Sequence, residues 1–479
     1  MILDALLLNQ IFTAIFYVVY FAIVLTTIFV VILDNRNPVR TMAWILVLSF
    51  LPVIGLLLYL FFGRSTRKER LISKKGYTRL RKRSVAEYEA QTPQNEIRQR
   101  PQMMEFFSRV NGALPFGGNV AKVYTRGCDM VADLLRAISR ARNHIHIEFY
   151  IFEDDAVGRL VRDALIDKAH QGVKIRVLYD DVGCWKVPHA FYERMLCEGI
   201  EVQGFLKVRF PLFTSKVNYR NHRKIAIIDG TTGFIGGMNL ADRYVKGFSW
   251  GIWRDTHVRL EGKAVYGLQT TFLTDWYVVD RSMLTSADYF PPVQSEGNIT
   301  TQIVTSDPVG EWRDIMQGLM TGICNAHTYF YAQTPYLLPD EQIITALQTA
   351  ALSGVDVRIM IPRRADAWLV HKGSLSYLDE FMRAGVKIYL YRKGFLHSKM
   401  MVCDDEWGTI GSTNMDFRSF EHNFEANAVF YDRDMARTLF TIFLEDQKDC
   451  LLLTPKVWDK RSWKNKVTES VVRLLAPLL

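Results

Sequence analysis

The sequence has few cysteines and few charged residues. Its six cysteines are scattered over 479 residues, and no two of them form a Cys-x-x-Cys pair. A zinc ribbon, a redox motif and a disulfide scaffold are therefore poorly supported, and reduced, buried thiols in a cytoplasmic setting are expected. Charged residues make up only 23% of the chain, against 49% hydrophobic residues. This composition argues against a disordered chain and against a coiled coil.

The net charge of the chain equals the charge of one short segment, and the other residues sum to zero. The net charge is +9, and residues 64–84 alone contain ten basic side chains and one acidic side chain. A nucleic-acid enzyme usually spreads its basic charge over a binding face, whereas here the whole surplus lies in one run. The run follows a hydrophobic segment, where basic residues set membrane topology and lie against anionic headgroups. The pattern predicts anionic membrane lipids as partners, and no nucleic acid.

Two uncharged segments near the N-terminus are long enough to cross a bilayer. Residues 11–33 and 41–63 are 23 residues each, and as helices each would span the ~30 Å hydrocarbon core. A short polar turn joins them, and Pro52 predicts a kink in the second. A cleaved signal peptide is disfavoured, because the first residues carry an acid and no base and the apolar stretch is too long. Residues 1–63 are thus predicted to form a transmembrane hairpin, with cytoplasmic sides before and after it.

The remainder of the chain contains an internal duplication. Apolar runs rich in Val, Ile and Tyr alternate with helical stretches in each half, which is the α/β pattern. The fold predicted for this part is therefore α/β, with two similar lobes related by a pseudo-two-fold axis. Five segments recur in the same order in the two halves. The corresponding pairs are 142–152 with 328–338, 172–177 with 354–359, 199–202 with 385–388, 222–224 with 397–399, and 236–239 with 411–414.

The predicted organisation has six parts. They are the hairpin (1–63), a basic juxtamembrane segment (64–109), a first lobe (110–280), an inter-lobe connection (281–300), a second lobe (301–455) and a basic, aromatic C-terminal segment (456–479). The C-terminal segment suits either an interfacial helix or a helix packed on the catalytic core. The first half also has an 11-residue insertion within 205–220. Its apolar and basic residues suit either a loop that enters the headgroups or a loop folded onto the domain surface.

The motif His-x-Lys-x-x-x-x-Asp occurs twice, at equivalent places in the duplication. Residues i and i+2 of a strand share a face, so the histidine and the lysine of each motif point together. The aspartate follows the histidine by seven residues, an odd number, and would face away from it. We therefore expect both aspartates to support lysines or loops rather than to touch substrate. The motif residues are His222, Lys224 and Asp229 in the first half and His397, Lys399 and Asp404 in the second.

Two histidines and two lysines that converge in this way predict a phosphodiester site. The lysines stabilise negative charge on the phosphoryl oxygens. One histidine attacks phosphorus, and the other protonates the leaving alkoxide and then deprotonates the incoming alcohol or water. No metal and no other cofactor is predicted. The supporting residues are Asn239, Asn414 and Ser412, as hydrogen-bond donors to the same oxygens, and Asp255 and Glu425, as carboxylates that orient the imidazoles.

With this paired motif the sequence resembles the phospholipase D superfamily. Nearly its whole length, from the two spans to the end at 476–479, is similar to bacterial cardiolipin synthases. The resemblance implies a metal-independent phosphatidyl transfer in which one phosphatidylglycerol gives a phosphatidyl-enzyme and glycerol, and a second phosphatidylglycerol accepts the phosphatidyl group. It also implies His222 as nucleophile and His397 as acid and base, which the symmetry alone does not decide. The implied location is the bacterial cytoplasmic membrane, with several spans and cytoplasmic lobes.

Other functions share much of this pattern. A membrane-anchored phospholipase D would use the same residues with water as acceptor, and phosphatidylethanolamine could replace the second phosphatidylglycerol. A nuclease of the same superfamily is disfavoured by the spans and by the neutral lobes. A non-catalytic membrane scaffold is disfavoured by the two intact motifs.

Overall fold

A computed structural model describes residues 2–33, 38–59, 101–207, 219–293, 297–474 and 476, together with Gly76, Thr78, Arg79, Lys82 and Ala86. Most of the basic run at 64–84 and the central part of the insertion, 208–218, therefore lie outside the described residues. The chain forms two compact units. The first contains the N-terminal helices, and the second contains the described residues from 101 onward.

The N-terminal unit contains three helices. They are α1 (Ile2–Leu33), α2 (Pro38–Phe50) and α3 (Pro52–Leu58). Within α1, the segment Asn9–Leu33 has 25 residues and a mean hydropathy of 2.7, and it is the one helix of the described chain that is long and apolar enough to cross a membrane. The first predicted span lies in this helix.

The second predicted span is not one continuous helix. Its apolar helical part in α2, Thr41–Phe50, is shorter than a span. The chain leaves helical geometry at Leu51, because the following Pro52 disfavours a helical residue before it. Helix α3 then turns back onto α2, since a Cβ on Gly55 would lie 2.8 Å from the carbonyl oxygen of Val47. The rest of the predicted span, 60–63, lies outside the described residues.

The second unit is an α/β structure with twenty strands among the described residues, of which sixteen form one sheet and four form two separate two-stranded sheets. The strands of the first lobe are β1 (Pro115–Tyr124), β2 (His144–Phe149), β3 (Lys174–Asp180), β4 (Glu201–Phe205), β5 (Arg220–Asn221), β6 (Lys224–Ile228), β7 (Thr232–Gly236), β8 (Ile252–Arg254) and β9 (His257–Glu261). Those of the second lobe are β10 (Ile299–Ser306), β11 (Tyr329–Gln333), β12 (Leu337–Leu338), β13 (Asp356–Pro362), β14 (Lys387–Tyr391), β15 (Gly394–Leu396), β16 (Met400–Cys403), β17 (Trp407–Gly411), β18 (Met415–Asp416), β19 (Asn423–Phe430) and β20 (Cys450–Leu453).

Helices cover both faces of the sheet. They are α4 (Gln102–Val110), α5 (Gly127–Arg140), α6 (Ala156–His170), α7 (His189–Cys197), α8 (Arg243–Lys246), α9 (Val265–Asp280), α10 (Asp314–Cys324), α11 (Glu341–Leu352), α12 (Trp368–Ser376), α13 (Leu378–Arg383), α14 (Phe417–Glu421), α15 (Arg433–Gln447), α16 (Pro455–Trp458) and α17 (Trp463–Leu474). A short 3₁₀ helix, Ala287–Tyr289, lies in the predicted inter-lobe connection, of which 294–296 are outside the described residues.

The strand order repeats from lobe to lobe, as the duplication predicts. The first lobe reads β4-β3-β2-β6-β7-β9-β1, and the second reads β14-β13-β11-β16-β17-β19-β10 with β20 added at its edge. The two orders meet where β1 pairs antiparallel with β10. An antiparallel pair of equivalent strands places a local two-fold axis between them. The predicted α/β fold with two similar, pseudo-symmetric lobes is therefore confirmed.

Glycines end the helices that lead into the parallel strands. Gly172 and Gly354 have φ of 86° and 96°, and they follow α6 and α11 in the two lobes. Gly199 and Gly385 have φ of 83° and 95° after α7 and α13. A residue with positive φ closes the last helical turn and redirects the chain, and glycine does so without strain. The repeated glycines of the sequence thus mark repeated helix-to-strand turns.

The first and last helices of the second unit both pack on the second lobe. Phe107 of α4 is fully buried in the core of that lobe and lies against Gly318 of α10, although α4 falls within the predicted juxtamembrane segment. At the other end, α17 packs along α12, where Lys372 donates to Asn465 and pairs with Glu469. Of the two possibilities open for the C-terminal segment, packing on the catalytic unit is present.

Candidate active site

Each motif histidine follows a short strand that pairs with the opposite lobe. Strand β5 pairs in parallel with β19, and the N–H of His222 donates to the carbonyl of Phe424 at 2.9 Å. Strand β15 pairs in parallel with β8, and the N–H of His397 donates to the carbonyl of Arg254 at 2.7 Å. The two strand exchanges bring both histidines to one place between the lobes.

The carboxylates predicted as orienters bind the histidines across the lobes. His222 Nδ1 lies 3.0 Å from Glu425 Oε1 and 3.1 Å from Oε2. His397 Nδ1 lies 2.6 Å from Asp255 Oδ2. Glu425 belongs to the second lobe and Asp255 to the first, so each lobe supplies the carboxylate for the imidazole of the other. This exchange follows from the strand pairing, which places each carboxylate one residue beyond the paired segment.

Burial and neighbouring charges set the protonation of these groups. Burial lowers the pKa of His222 to about 4 and that of His397 to about 3, and the buried lysines act in the same direction. Burial alone would raise the pKa of Glu425 and Asp255, but contacts with the histidines and lysines outweigh it and hold both pKa values below the usual range. Neutral imidazoles therefore donate from Nδ1 to ionised carboxylates. This tautomer leaves a lone pair on each Nε2.

The two motif lysines lie behind their histidines. Lys224 and Lys399 are almost fully buried, and each ammonium donates to the carbonyl oxygen of the histidine two residues before it. Lys399 Nζ also lies 2.9 Å from His397 Nδ1. Burial lowers the pKa of Lys399 to about 8 and that of Lys224 well below its usual range. The carboxylates of the site act in the opposite direction and raise the pKa of each ammonium. The charge of Lys399 therefore depends on pH around pH 8.

The residue between His222 and Lys224 has a structural role that the sequence did not indicate. Arg223 is buried, and its Nε donates to the carbonyl of Glu425 at 3.1 Å. Its guanidinium also pairs with Asp275 of α9. Arg223 thus fixes the backbone that carries the carboxylate partner of His222. No pattern in the sequence separated it from an ordinary basic residue.

The three predicted hydrogen-bond donors are placed differently from one another. Asn239 and Asn414 line a pocket with both histidines. Asn239 accepts from the N–H of Ile151 through Oδ1 and donates to Tyr244. Ser412 is fully buried and donates to Glu425. The hydroxyl of Ser412 therefore stabilises the carboxylate that orients His222. The predicted contact of Ser412 with a phosphoryl oxygen is not the one that the structure shows.

The motif aspartates hold loops. Asp229 accepts from the backbone N–H groups of Arg142, Asn143 and His144, and Asp404 accepts from those of His327, Thr328 and Tyr329. Both aspartates have a φ of 52°. The contacts are thus with loops, as the odd spacing suggested, and no contact with a lysine is present among them. Because both carboxylates bind the backbone of loops, their location argues against a role in the chemistry.

Replacement of these aspartates should affect stability more than chemistry. We expect Asp229→Ala and Asp404→Ala each to lower the free energy of unfolding by about 2–4 kcal/mol, because three N–H groups lose their acceptor and alanine disfavours positive φ. The kcat of the folded protein should stay within about tenfold of the parent. Thermal unfolding and initial rates check this. An unchanged melting temperature with a large loss of kcat would instead place the carboxylates in the chemistry.

The histidines open into a cavity of about 450 Å³ whose two sides differ. Around His397 lie four aromatic rings with centroids 5.1 to 6.5 Å from the imidazole, and around His222 lie one aromatic ring, at 5.0 Å, and guanidinium groups. Only the pair Tyr150 and Tyr336 had a signal in the sequence, since they occupy equivalent positions of the duplication. The others were missed because nothing in the sequence separated them from ordinary polar and aromatic residues: Tyr244, Trp253 and Phe395 near His397, and Arg220, Arg418 and Asn423 in the cavity with His222.

Comparisons with known proteins agree with this geometry. A family model described as cardiolipin synthase, PLD-like domain, matches residues 134–276 and 319–447. A cardiolipin synthase of Geobacillus sp. (strain WCH70) is 40% identical over 458 residues, which is 94% of this chain and 91% of that protein. The chain belongs to the cardiolipin synthase family. The major cardiolipin synthase of Bacillus subtilis (strain 168) is 39% identical over 468 residues, covering 95% of this chain and 97% of that protein.

Two further matches concern the fold and the N-terminus. A crystal structure of phosphatidylserine synthase from Haemophilus influenzae Rd KW20 matches with a TM-score of 0.61 and 12% identity over 79% of this chain and all of that chain, which shows a shared fold. A family model described as phospholipase D-nuclease N-terminal matches residues 22–64. Membership of the cardiolipin synthase family confirms the predicted enzyme class, a phosphatidyltransferase of the phospholipase D superfamily with phospholipid substrates. With the apolar helix Asn9–Leu33, it identifies a membrane protein.

Proposed function

We propose that this chain condenses two phosphatidylglycerol molecules into cardiolipin and glycerol through a phosphohistidine intermediate. The observation that carries the proposal is the pair of imidazoles that share one cavity, each with its Nδ1 on a buried carboxylate of the other lobe. A nucleophile and a separate acid and base are the two groups that a two-step phosphoryl transfer needs.

In the first step His222 Nε2 attacks the phosphorus of one phosphatidylglycerol. The bond from phosphorus to the glycerol oxygen breaks, and protonated His397 gives its proton to that oxygen, so that glycerol leaves. In the second step neutral His397 takes the proton from a glycerol hydroxyl of another phosphatidylglycerol. That oxygen attacks phosphorus, the N–P bond breaks, and both imidazoles return to their starting states.

The electrostatics of the site suit this sequence. Resting pKa values near 4 for His222 and near 3 for His397 leave both imidazoles unprotonated, so His222 is able to attack and His397 must gain its proton when substrate binds. An anionic phosphodiester placed in the cavity favours the protonated form of His397, because a negative charge at close range raises the pKa of an imidazole. The buried ammoniums of Lys224 and Lys399 behind the imidazoles stabilise the negative charge that develops on the phosphoryl oxygens.

Two residues that line the cavity have a side-chain oxygen that lacks a hydrogen-bond donor within the described part of the chain. Asn414 Oδ1 and Asn423 Oδ1 are buried and accept no hydrogen bond from the described residues, and both residues line the cavity. The amide nitrogen of Asn423 donates to Glu425 at 3.1 Å. A buried acceptor without a donor is costly. The glycerol headgroup and the primary ammonium of phosphatidylethanolamine both supply donors and a quaternary ammonium supplies none, so this feature disfavours a choline lipid as acceptor.

Topology is part of the proposal. We place the N-terminal region in the cytoplasmic membrane with more than one crossing, and the lobes on the cytoplasmic side. The charge pattern supports this, because ten bases follow the apolar region while the turn at 34–40 carries two. We retain the division at 64, 110, 281, 301 and 456 as the proposed domain boundaries.

The test uses the purified full chain in vesicles with labelled phosphatidylglycerol and a chelator. Cardiolipin and glycerol in equal amounts are expected. Phosphatidic acid and glycerol without cardiolipin would identify water as the acceptor, and the proposal would be wrong. A preference for added phosphatidylethanolamine as acceptor would overturn the assignment of the second substrate. No turnover of lipid, with turnover of a nucleic-acid phosphodiester, would establish the nuclease alternative.

The rate should fall on the alkaline side earlier than the usual pKa of lysine would allow. Burial lowers the pKa of Lys399 from 10.5 to about 8. As pH rises through this value the ammonium loses its proton. The positive charge that stabilises the negative phosphoryl oxygens is then lost. We expect kcat/KM to decline above pH about 8. The exposed Lys448→Gln variant should keep this limb, whereas Lys399→Met should have low activity without it. A plateau that extends to pH about 10 would contradict this assignment.

A further inference from the structure

The C-terminal helix α17 carries an apolar stripe on the side away from the protein. Trp463, Val467, Val471 and Leu474 are 70%, 51%, 54% and 79% exposed. At 100° per residue these four side chains fall within about 80° of helix surface. The opposite side of α17 carries Glu469 and Val472, which are buried. The helix is thus amphipathic, with an apolar face that no described residue covers.

Bases flank the stripe. Lys464 and Lys466 lie on its two sides by helical periodicity. Lys456 and Lys460 precede the helix, all four lysines are exposed, and no ion pair joins any of them to a described carboxylate. The acid within the helix, Glu469, faces inward and pairs with Arg461 and Lys372. The outer face is therefore apolar and cationic, and its charge complements an anionic surface.

The same helix reaches the active-site cavity. Ala476, two residues beyond the end of α17, lines the cavity together with Val370 of α12. Helix α12 is the element on which α17 packs, where Val472 lies against Gly373. Contacts between Arg473 and Glu380, and of Arg473 over the Tyr377 ring at 4.2 Å, fix α17 to this lobe. The stripe and the cavity thus belong to one rigid part of the lobe.

We propose that the outer face of α17 docks on the surface of an anionic bilayer and holds the adjoining cavity at the headgroup level. Aromatic and aliphatic side chains with flanking lysines are the composition of helices that lie in a membrane interface, about 5–10 Å into the headgroup boundary. Each lysine near such a surface raises the affinity roughly fivefold. This contact is separate from the N-terminal anchor and goes beyond the proposed reaction.

The experiment places a bimane fluorophore on Val467→Cys in the full chain, with the four cysteines that are not fully buried replaced by serine: Cys128, Cys197, Cys324 and Cys450. The matched control carries the probe on Leu352→Cys, an aliphatic residue that is 73% exposed at the end of α11. The protein is reconstituted in phosphatidylcholine vesicles with and without phosphatidylglycerol. Quenching by phospholipids with brominated chains and by aqueous iodide is measured.

With phosphatidylglycerol present we expect severalfold stronger lipid quenching and weaker iodide quenching at position 467 than at 352. The added Lys464→Gln and Lys466→Gln changes should lower the docked-to-free ratio roughly 30-fold. Equal quenching at the two positions would overturn the proposal. Iodide protection without lipid quenching, persisting in detergent, would show that protein covers the stripe and would also overturn it. The readout needs no turnover, so it holds whether or not the proposed reaction is correct.

Discussion

His222→Ala should abolish formation of a phosphatidyl-enzyme, and His397→Ala should slow its formation and its resolution. We expect kcat to fall by roughly 10⁴–10⁶ in each variant, because removal of one member of a catalytic pair stops the sequence of steps. With phosphatidylglycerol labelled in the phosphatidyl group, His397→Ala should retain label on protein, whereas His222→Ala should retain none. The bound label should be acid-labile and stable to base, as expected of a phosphoramidate.

Label on His222→Ala and none on His397→Ala would exchange the two roles, which the near-symmetry of the site permits. The matched control is His144→Ala. His144 is a buried histidine of the first lobe whose Nε2 lies 3.1 Å from Gln269, away from the cavity-lining residues. It should lower stability and leave the labelling pattern unchanged. Acid-stable label in the parent protein would contradict a phosphohistidine.

The second large effect is expected from the carboxylates that cross between the lobes. Glu425→Gln and Asp255→Asn should each lower kcat by roughly 10²–10⁴. An amide can present its NH₂ group to Nδ1, which favours the tautomer with the proton on Nε2. His222 then lacks the lone pair with which it attacks, and His397 lacks an accepting nitrogen for the second step. Substrate binding should change much less, so the loss should appear in kcat rather than in KM.

The control for this pair is Asp356→Asn, a partly buried carboxylate that pairs with Arg358 and Lys387 outside the cavity. It should leave kcat within about tenfold of the parent. Thermal unfolding of all three variants separates loss of fold from loss of orientation. Glu425→Gln or Asp255→Asn with full kcat would show that the lobes hold the imidazoles without these carboxylates.

Much of the fold could be predicted from the sequence because the two halves of the sequence repeat the same segments. Equivalent glycines at 172 and 354 and at 199 and 385 lead into equivalent strands, and a repeated order of segments predicts a repeated order of strands. The second membrane segment was less predictable. Its apolar length and Pro52 predicted one kinked span, whereas the chain leaves helical geometry before that proline and the described part forms two short helices.

The sequence by itself determined the family, the paired motif and the chemistry that two histidines and two lysines support. The odd spacing of Asp229 and Asp404 also indicated that they serve loops. These properties depend on residue type and on distances along one strand, where geometry is local.

Only the tertiary structure decided which carboxylate serves which histidine. Asp255 and Glu425 occupy equivalent positions in the two halves, so each could have paired with the histidine of its own lobe. The pairing of β5 with β19 and of β15 with β8 carries each histidine to the other lobe instead. The same exchange brings aromatic rings and guanidinium groups of both lobes around the two imidazoles. Long-range strand pairing has no signature in local spacing, because it depends on how the two lobes meet.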